Sequence, residues 1–257
     1  MSRHFAEYLA PTRFIESDHP AVVAWARERA GPAHGPVETA VRLFYAVRDD
    51  LRYDPYGVIT TVEAMRASRA LEARRGWCVS KAALLTACCR ALGIPARIGF
   101  ADVRNHLSTA RMRETMKTEV FYWHGYGSIW LEGRWVKATP AFNRELCEKF
   151  GLLPLDWDGH SDSLYHAFDR EGRRHMEYVR EHGEFADVPL ERMRETWRRE
   201  YPHLEIGQGG IEGDFDADVE AENAPGLLPS KGTSKRSQVK RRRSRSSRAS
   251  RPRSSSR

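Results

Sequence analysis

The order of patterns along the sequence predicts an α+β fold, with helices first and an antiparallel sheet after them. Apolar residues in the first part of the chain recur at the three- and four-residue spacing of helices. From residue 96 onward the pattern changes to the alternation that is typical of strands. The chain has 257 residues, 40% of them hydrophobic, which is enough to bury a sizeable core.

Proline at the start and glycine at the end mark the helices of the first part. The best pattern follows Gly76-Trp77, where small and apolar side chains keep helical spacing until Gly93 ends the helix. The predicted helices and helical turns of this part are residues 20–30, 36–51, 61–67, 68–74 and 78–92.

β-rich segments then alternate with turn residues, and a Glu-Gly pair at 132–133 predicts a hairpin. After the last of these strands we expect a short helix, a loop rich in Asp, Gly and His, and a final helix. The predicted strands are residues 96–103, 120–124, 128–131 and 134–139, and the two later helices are residues 142–150 and 190–200.

The net charge of +7 belongs to the end of the chain rather than to the predicted fold. Residues 231–257 hold twelve Lys or Arg and no acid, while residues 212–222 hold six acids and no base. Without these segments 30 basic and 29 acidic residues remain, which is close to neutral. We therefore expect a domain at 1–206 and disorder over 207–257, an acidic stretch followed by an Arg/Ser-rich tail with few apolar side chains to bury.

The basic tail has two interpretations. It binds nucleic acid or an acidic partner weakly and non-specifically through counterion release, or it is a solvated appendage. No base-reading residues are interleaved with its arginines, so it predicts no sequence recognition.

The remaining composition argues against several classes of protein. No apolar run approaches the length of a bilayer span, and the first residues lack the apolar core of a signal peptide. Four cysteines without CxxC spacing suggest neither a disulfide framework nor a zinc ribbon. We expect a cytoplasmic protein with no membrane partner.

The most informative residue is Cys78, which follows Gly76-Trp77 at the start of the best predicted helix. The first turn of a helix presents unpaired N–H groups and the positive end of the helix dipole, and both favour the thiolate. The alternative is an inert buried thiol, the interpretation we keep for Cys88 and Cys89.

His124 is the candidate base for such a thiol, because it ends an aromatic strand and is followed by the small residues Gly125 and Gly127. The alternative is a surface histidine at a strand end. His106 is a second candidate imidazole, in a predicted loop. Trp77 either lines the substrate pocket, near an oxyanion held by the Cys78 N–H, or packs in the core.

This arrangement resembles the transglutaminase-like superfamily of papain-type cysteine enzymes. The resemblance covers residues 76–140: Gly76-Trp77-Cys78 opening a helix, the motif Arg-Ala-Leu-Gly-Ile-Pro-Ala-Arg at 90–97, His124, and Gly-Arg-Trp at 133–135. It implies a papain-like α+β fold, acyl transfer through Cys78 and His124, and no metal or organic cofactor. Bacterial members are also similar at 163–166 and 175–178.

The sequence departs from the family at the residue that orients the histidine. The family places aspartate before a proline on the next strand, and here that position is Thr139, before Pro140. A threonine accepts a hydrogen bond but carries no charge, so it would stabilise an imidazolium less well. Asn143 and Asp102 are alternative orienting residues.

Three hypotheses about function follow. The first is an enzyme that acts on amide bonds of peptides or proteins, with either water or an amine as acceptor. The second is a peptide-binding module of the same fold without catalysis, and the third is a nucleic-acid adaptor that works through the tail. The His- and carboxylate-rich residues 156–189 form either a metal site or a polar loop, and we favour the loop because their spacing matches no ligand motif.

Overall fold

The computed structural model describes residues 3–105, 108–165, 170–172, 175–207 and 210–223. Eight α-helices are present in this part of the chain, and a 3₁₀ turn at Arg3–Tyr8 precedes them. The helices are α1 (Pro20–Ala30), α2 (Pro36–Asp50), α3 (Ala67–Ala73), α4 (Cys78–Ala91), α5 (Ala110–Met116), α6 (Arg144–Lys149), α7 (Leu190–Glu200) and α8 (Phe215–Asn223).

Two sheets are present in the described residues. A short parallel pair joins β1 (Arg52–Tyr53) to β2 (Arg75–Gly76), directly before α4. The main sheet is antiparallel, with the strand order β5-β4-β3-β6. Its strands are β3 (Ala96–Asn105), β4 (Val120–Leu131), β5 (Arg134–Ala138) and β6 (Met176–Phe185). The predicted α+β class is confirmed.

Helix α4 is the centre of the core. One side packs on β4 and the other packs against α1, α2 and α3, so every residue from Cys78 to Arg90 is buried. The charges on this helix are satisfied by backbone carbonyls. Lys81 Nζ donates to the carbonyls of Arg48 (2.9 Å) and Leu51 (2.7 Å) at the end of α2. The helix therefore fixes the chain that leads into β1.

Arg90 plays the same part at the other end of α4. Its guanidinium donates to the carbonyls of Ala96, Ala10 and Ala186, at 2.8, 2.8 and 2.6 Å. Three segments distant in sequence are thus joined through one buried cation. An isolated buried charge would be costly, and these hydrogen bonds offset that cost.

The structure differs from our expectations in several elements. Residues 61–66 form turns rather than the helix expected at 61–67, whereas the helical turn expected at 68–74 is present as α3 (Ala67–Ala73). The residues expected to form a polar loop include the whole of β6. Its side chains are largely charged and polar, as is common in an edge strand, so the sequence lacks the apolar alternation that predicts a strand. Helix α5 was not predicted.

The expected start of disorder at residue 207 also differs from the structure. Helix α8 lies within the acidic stretch and packs on the domain through Phe215 and Val219. Its carboxylates form ion pairs with Arg52, Arg111 and Lys149. Long-range charge pairing stabilises a segment whose own apolar content is small. Residues 224–257, with the basic tail, lie outside the described residues.

Within the described part of the chain, none of the helices has both the length and the apolar character needed to cross a bilayer.

Candidate active site

A tight turn places Cys78 at the start of α4. The Trp77 N–H donates to Ser80 Oγ (3.0 Å). A serine in the first turn of the helix therefore accepts the hydrogen bond of the backbone N–H that precedes the helix. Gly76 has no room for a side chain, because a Cβ there would collide with the Ser80 hydroxyl. The Gly-Trp-Cys sequence therefore fixes where the sulfur emerges.

The sulfur of Cys78 lies against β4 and is almost covered. The residue is 6% exposed. Burial raises the pKa of the Cys78 thiol from 9.0 to about 11, and hydrogen bonds from the backbone N–H groups of Gly125, Val79 and Cys78 itself offset only part of this. We expected the helix start to favour the thiolate. The structure instead holds a neutral thiol at pH 7, because burial outweighs the N–H donors.

His124 lies on β4 opposite Ala101 of β3, and it is buried. The next residue, Gly125, brings the strand against the helix: a Cβ on Gly125 would lie 2.9 Å from Val79 Cα. Cys78 and His124 line the same cavity. The structure thus brings the predicted thiol and imidazole to one site, which was the central expectation from the sequence.

Thr139 directly follows β5 and is buried. Its N–H donates to the Ser163 carbonyl (2.9 Å), while its hydroxyl has no hydrogen-bond partner among the residues that the structure describes. Thr139 is not among the residues that line the Cys78 cavity. The alternative Asn143 is already engaged, since its Oδ1 accepts the Tyr53 N–H (3.0 Å) and holds β1 beside the site.

Asp102, the other alternative, holds the chain just before His124. Its Oδ1 accepts the Trp123 N–H (3.0 Å) and lies 2.6 Å from His182 Nε2. Trp123 has a positive φ of 66°, at a β-bulge between β3 and β4. Its ring stacks on that of His182, with centroids 3.9 Å apart. Sequence reasoning did not connect His182 with the site, because β6 was not predicted.

The cavity next to Cys78 has a volume of about 360 Å³. Its walls come from the segment after β1, from α5, from the start of β4 and from the end of α7. Trp77 lines it, which is one of the two positions considered for this residue, and its ring lies 6.0 Å from that of Trp197. The chain after α7 also lines it: residues 201–207 and 210–215, which we call the closing segment.

Two kinds of contact hold the closing segment in place. The Ile211 N–H donates to the Tyr56 carbonyl (2.8 Å), and a Cβ on Gly210 would collide with that same oxygen. Beyond it, Asp218 of α8 accepts from Arg111 Nε (2.7 Å) and from the Tyr56 hydroxyl (2.8 Å). The segment, which ends at Phe215 in the first turn of α8, forms one side of the cavity.

The remaining sequence candidates lie in part outside the described residues. His106 and part of the polar region 156–189 lie outside the described residues. Among the residues that the structure describes, no group of three or more His, Cys, Asp or Glu is placed to hold a metal ion. The basic tail lies outside the described residues, so its two interpretations stay predictions.

Comparison with known proteins agrees with this geometry. The sequence model of the Transglutaminase-like superfamily matches residues 23–140, which include Cys78, His124 and Thr139. None of the curated proteins matches this chain.

Two solved structures share part of the fold. One, from Cytophaga hutchinsonii and provisionally described as a cysteine protease, is 18% identical with a TM-score of 0.43, covering 55% of this chain and 43% of that one. The other, from Parabacteroides distasonis ATCC 8503 and provisionally described as a protease, is 14% identical with a TM-score of 0.33, covering 46% of this chain and 22% of that one.

This chain thus matches less than half the length of either solved protein. The resemblance seen in the sequence is confirmed over the segment that carries the thiol and the imidazole. Over residues 23–140, a little under half of its length, this chain is similar to the transglutaminase-like superfamily.

Proposed function

We propose that this chain is a cysteine-dependent acyl-transfer enzyme that acts on amide bonds of peptides or proteins. One observation carries the proposal: Cys78 and His124 line a single cavity, and the N–H of the residue after His124 donates to the Cys78 sulfur. The similarity of residues 23–140 to the transglutaminase-like superfamily supports a chemistry of the cysteine-protease kind.

The raised pKa of Cys78 defines what His124 has to do. A thiol with a pKa of about 11 is protonated at neutral pH, so His124 accepts its proton as Sγ bonds to the carbonyl carbon. The Cys78 N–H at the helix start is the donor proposed for the oxyanion. Protonated His124 then donates to the leaving nitrogen as the C–N bond breaks.

The thioester left on Cys78 is opened in a second step. Water as acceptor gives hydrolysis and an amine gives transamidation. In either case His124 accepts the proton of the attacking group, and the sulfur leaves with a proton from His124. The site holds the same two groups for both outcomes, so the acceptor is decided by what enters the cavity.

Thr139 is proposed as a neutral orienting residue for His124. Its buried hydroxyl has no other hydrogen-bond partner among the described residues and is available to the imidazole, although the structure shows no bond between the two. Asp102 supplies a second means of positioning, because it holds the Trp123 N–H and so the backbone that leads into His124. A charged carboxylate before Pro140 is therefore not required to fix the position of the imidazole.

A peptide-binding module without catalysis is the second candidate. The neutral, 6% exposed thiol of Cys78 favours it, because such a thiol reacts slowly. The two candidates differ in whether His124 activates the sulfur.

Alkylation of the full chain with iodoacetamide at pH 7, followed by intact mass and peptide mapping, separates them. An enzyme should be alkylated at Cys78 at least tenfold more slowly after His124→Ala, but not after His160→Ala, an exposed histidine that pairs with Glu132. Equal rates in all three proteins would favour the binding module.

The pH dependence of this reaction gives an independent test. In the His124→Ala protein the rate should rise with pH towards about 11, the pKa of the buried thiol. The unmodified protein should react faster than the variant well below pH 11, because His124 accepts the thiol proton, and the two profiles should meet near pH 11. Superimposable profiles would contradict the proposal.

A further inference from the structure

The walls of the Cys78 cavity are almost free of charge. Aromatic rings and methionines form about half of the lining residues, including Phe121, Phe142 and Phe150, and Met112, Met116 and Met176. Among the described lining residues, Glu205 is the only Asp, Glu, Lys or Arg. Its side chain is exposed. A charged group entering this cavity would lose water without gaining a partner.

The titratable groups beside the sulfur agree with an apolar interior. Burial raises the pKa of Tyr53 well above its ordinary value, and burial likewise raises the pKa of Tyr201. Both side chains line the cavity, and both are kept neutral. The thiol, the phenols and the hydrocarbon walls therefore form one continuous uncharged surface.

One buried polar group has no partner within this surface. Thr60 lines the cavity and is 6% exposed, and its hydroxyl has no hydrogen-bond partner in the part of the chain that the structure describes. Buried hydroxyls are normally paired, so an orphaned one in a cavity wall suits a ligand that supplies the missing bond. A main-chain amide is such a ligand.

The volume limits what fits. A cavity of about 360 Å³ lies at the lower end of the range of ligand sites, about 300–1,000 Å³. It is large enough for one bulky side chain with its adjoining amide, and too small for a folded segment.

Resting on the proposed function, we propose that the cavity selects an uncharged acyl donor with a bulky aromatic or branched aliphatic side chain beside the reacting carbonyl. The apolar walls take the side chain, and Thr60 Oγ hydrogen-bonds the neighbouring amide. Substrates with an acidic or basic group at this position are excluded.

Three alkylating amides that share one leaving group test this on the full chain: iodoacetamide, N-benzyl-iodoacetamide and N-(4-carboxybenzyl)-iodoacetamide. Each forms a carbon–sulfur bond at Cys78 and releases iodide, and the thiol proton passes to His124. Rates at Cys78 are divided by the rates with N-acetylcysteine. Burying one apolar side chain is worth roughly a factor of 10 to 100. We expect the benzyl probe to gain about tenfold over iodoacetamide, and the carboxybenzyl probe to gain nothing.

Matched variants connect the preference to the cavity. Met112→Asp places a charge in the wall and should abolish the benzyl advantage, whereas Leu153→Asp, at an exposed position outside the lining, should leave it. Thr60→Val keeps the shape and should lower the rates of all three probes several-fold, because they share the amide, while leaving the benzyl advantage unchanged. Thermal unfolding of each variant confirms that it is folded.

The outcomes separate this inference from the proposed function. If alkylation depends on His124 but is equally fast with the benzyl and carboxybenzyl probes, the proposed preference for an uncharged acyl donor is wrong. The proposed cysteine-dependent function is then unaffected. A benzyl advantage that survives Met112→Asp would also overturn the proposed preference. Cys78 that reacts independently of His124 would remove the proposed function itself.

Discussion

Asp102 Oδ1 lies 2.6 Å from His182 Nε2, and the two side chains are buried where β3 pairs with β6. The same oxygen accepts the Trp123 N–H at 3.0 Å. One carboxylate therefore joins the edge strand, the central strand and the bulge that leads into His124. The site depends on a residue that does not itself line the cavity.

Replacing Asp102 with Ala should destabilise the protein and slow Cys78 alkylation. It leaves the buried Trp123 N–H and His182 without their acceptor, and each lost buried partner costs about 1–3 kcal/mol. Denaturant unfolding measures the first effect and iodoacetamide kinetics the second. Asp102→Asn keeps an acceptor oxygen, so it should lose less stability and less of the Cys78 alkylation rate than Asp102→Ala. Full stability and full reactivity in Asp102→Ala would show that the contact is dispensable.

Gly125→Ala should separate β4 from the start of α4. The added Cβ would lie 2.9 Å from Val79 Cα, and overpacking of this kind costs about 1–3 kcal/mol. Because the Gly125 N–H also donates to the Cys78 sulfur, alkylation should change together with stability. Gly57→Ala is the control, since a Cβ there meets ordinary van der Waals contacts at 3.4 Å. Equal effects of the two substitutions would contradict the close contact.

Lys81 should make stability rise with pH above neutrality. Burial lowers the pKa of Lys81 from 10.5 to about 7. Between these values the unfolded chain binds the proton and the folded chain does not, so the free energy of unfolding increases by up to about 1.4 kcal/mol per pH unit. Above about pH 9 the buried thiols act in the opposite direction, because burial raises the pKa of Cys78 to about 11 and of Cys147 to about 12.

Urea unfolding of the full chain between pH 7 and 9 measures this slope. Lys81→Met should lower stability throughout, since the carbonyls of Arg48 and Leu51 lose their donor, and should also flatten the dependence on pH. A slope that persists in Lys81→Met would assign it to other groups.

Asp218→Ala should speed the alkylation of Cys78. The substitution removes the carboxylate that accepts hydrogen bonds from Arg111 and from the Tyr56 hydroxyl. These two bonds hold α8, and α8 follows the closing segment directly. These charges are exposed, so 1 M NaCl should produce part of the same effect in the unmodified protein. Glu72→Ala removes an exposed ion pair on α3 and is the control. No change in rate would mean that the closing segment does not limit access.

The thiol and the imidazole were predictable because their signals are local. A glycine-containing turn, a helix start at Cys78 and an aromatic strand ending near His124 are properties of short stretches of sequence. Their placement at one cavity agrees with the α+β order of elements, and Gly125 allows β4 to approach the start of α4 closely.

The features that were missed depend on partners distant in the chain. His182 reaches Asp102 only because β6 is an edge strand, and a strand with one exposed side carries charged residues that resemble a loop. Helix α8 has few apolar residues and is held by Arg52, Arg111 and Lys149 from other elements. The pKa of Cys78 reflects burial, which the helix start alone does not indicate.

The covering of the sulfur also bears on its chemical lifetime. Peroxide attacks the thiolate. Cys78 is buried beside aromatic side chains and its thiol stays protonated, so little thiolate is present to react. An uncovered, ionised cysteine would be oxidised to sulfenic acid and then irreversibly beyond it. In the function proposed above, the burial that keeps the Cys78 thiol protonated would also protect it from oxidation between turnovers, until His124 accepts its proton.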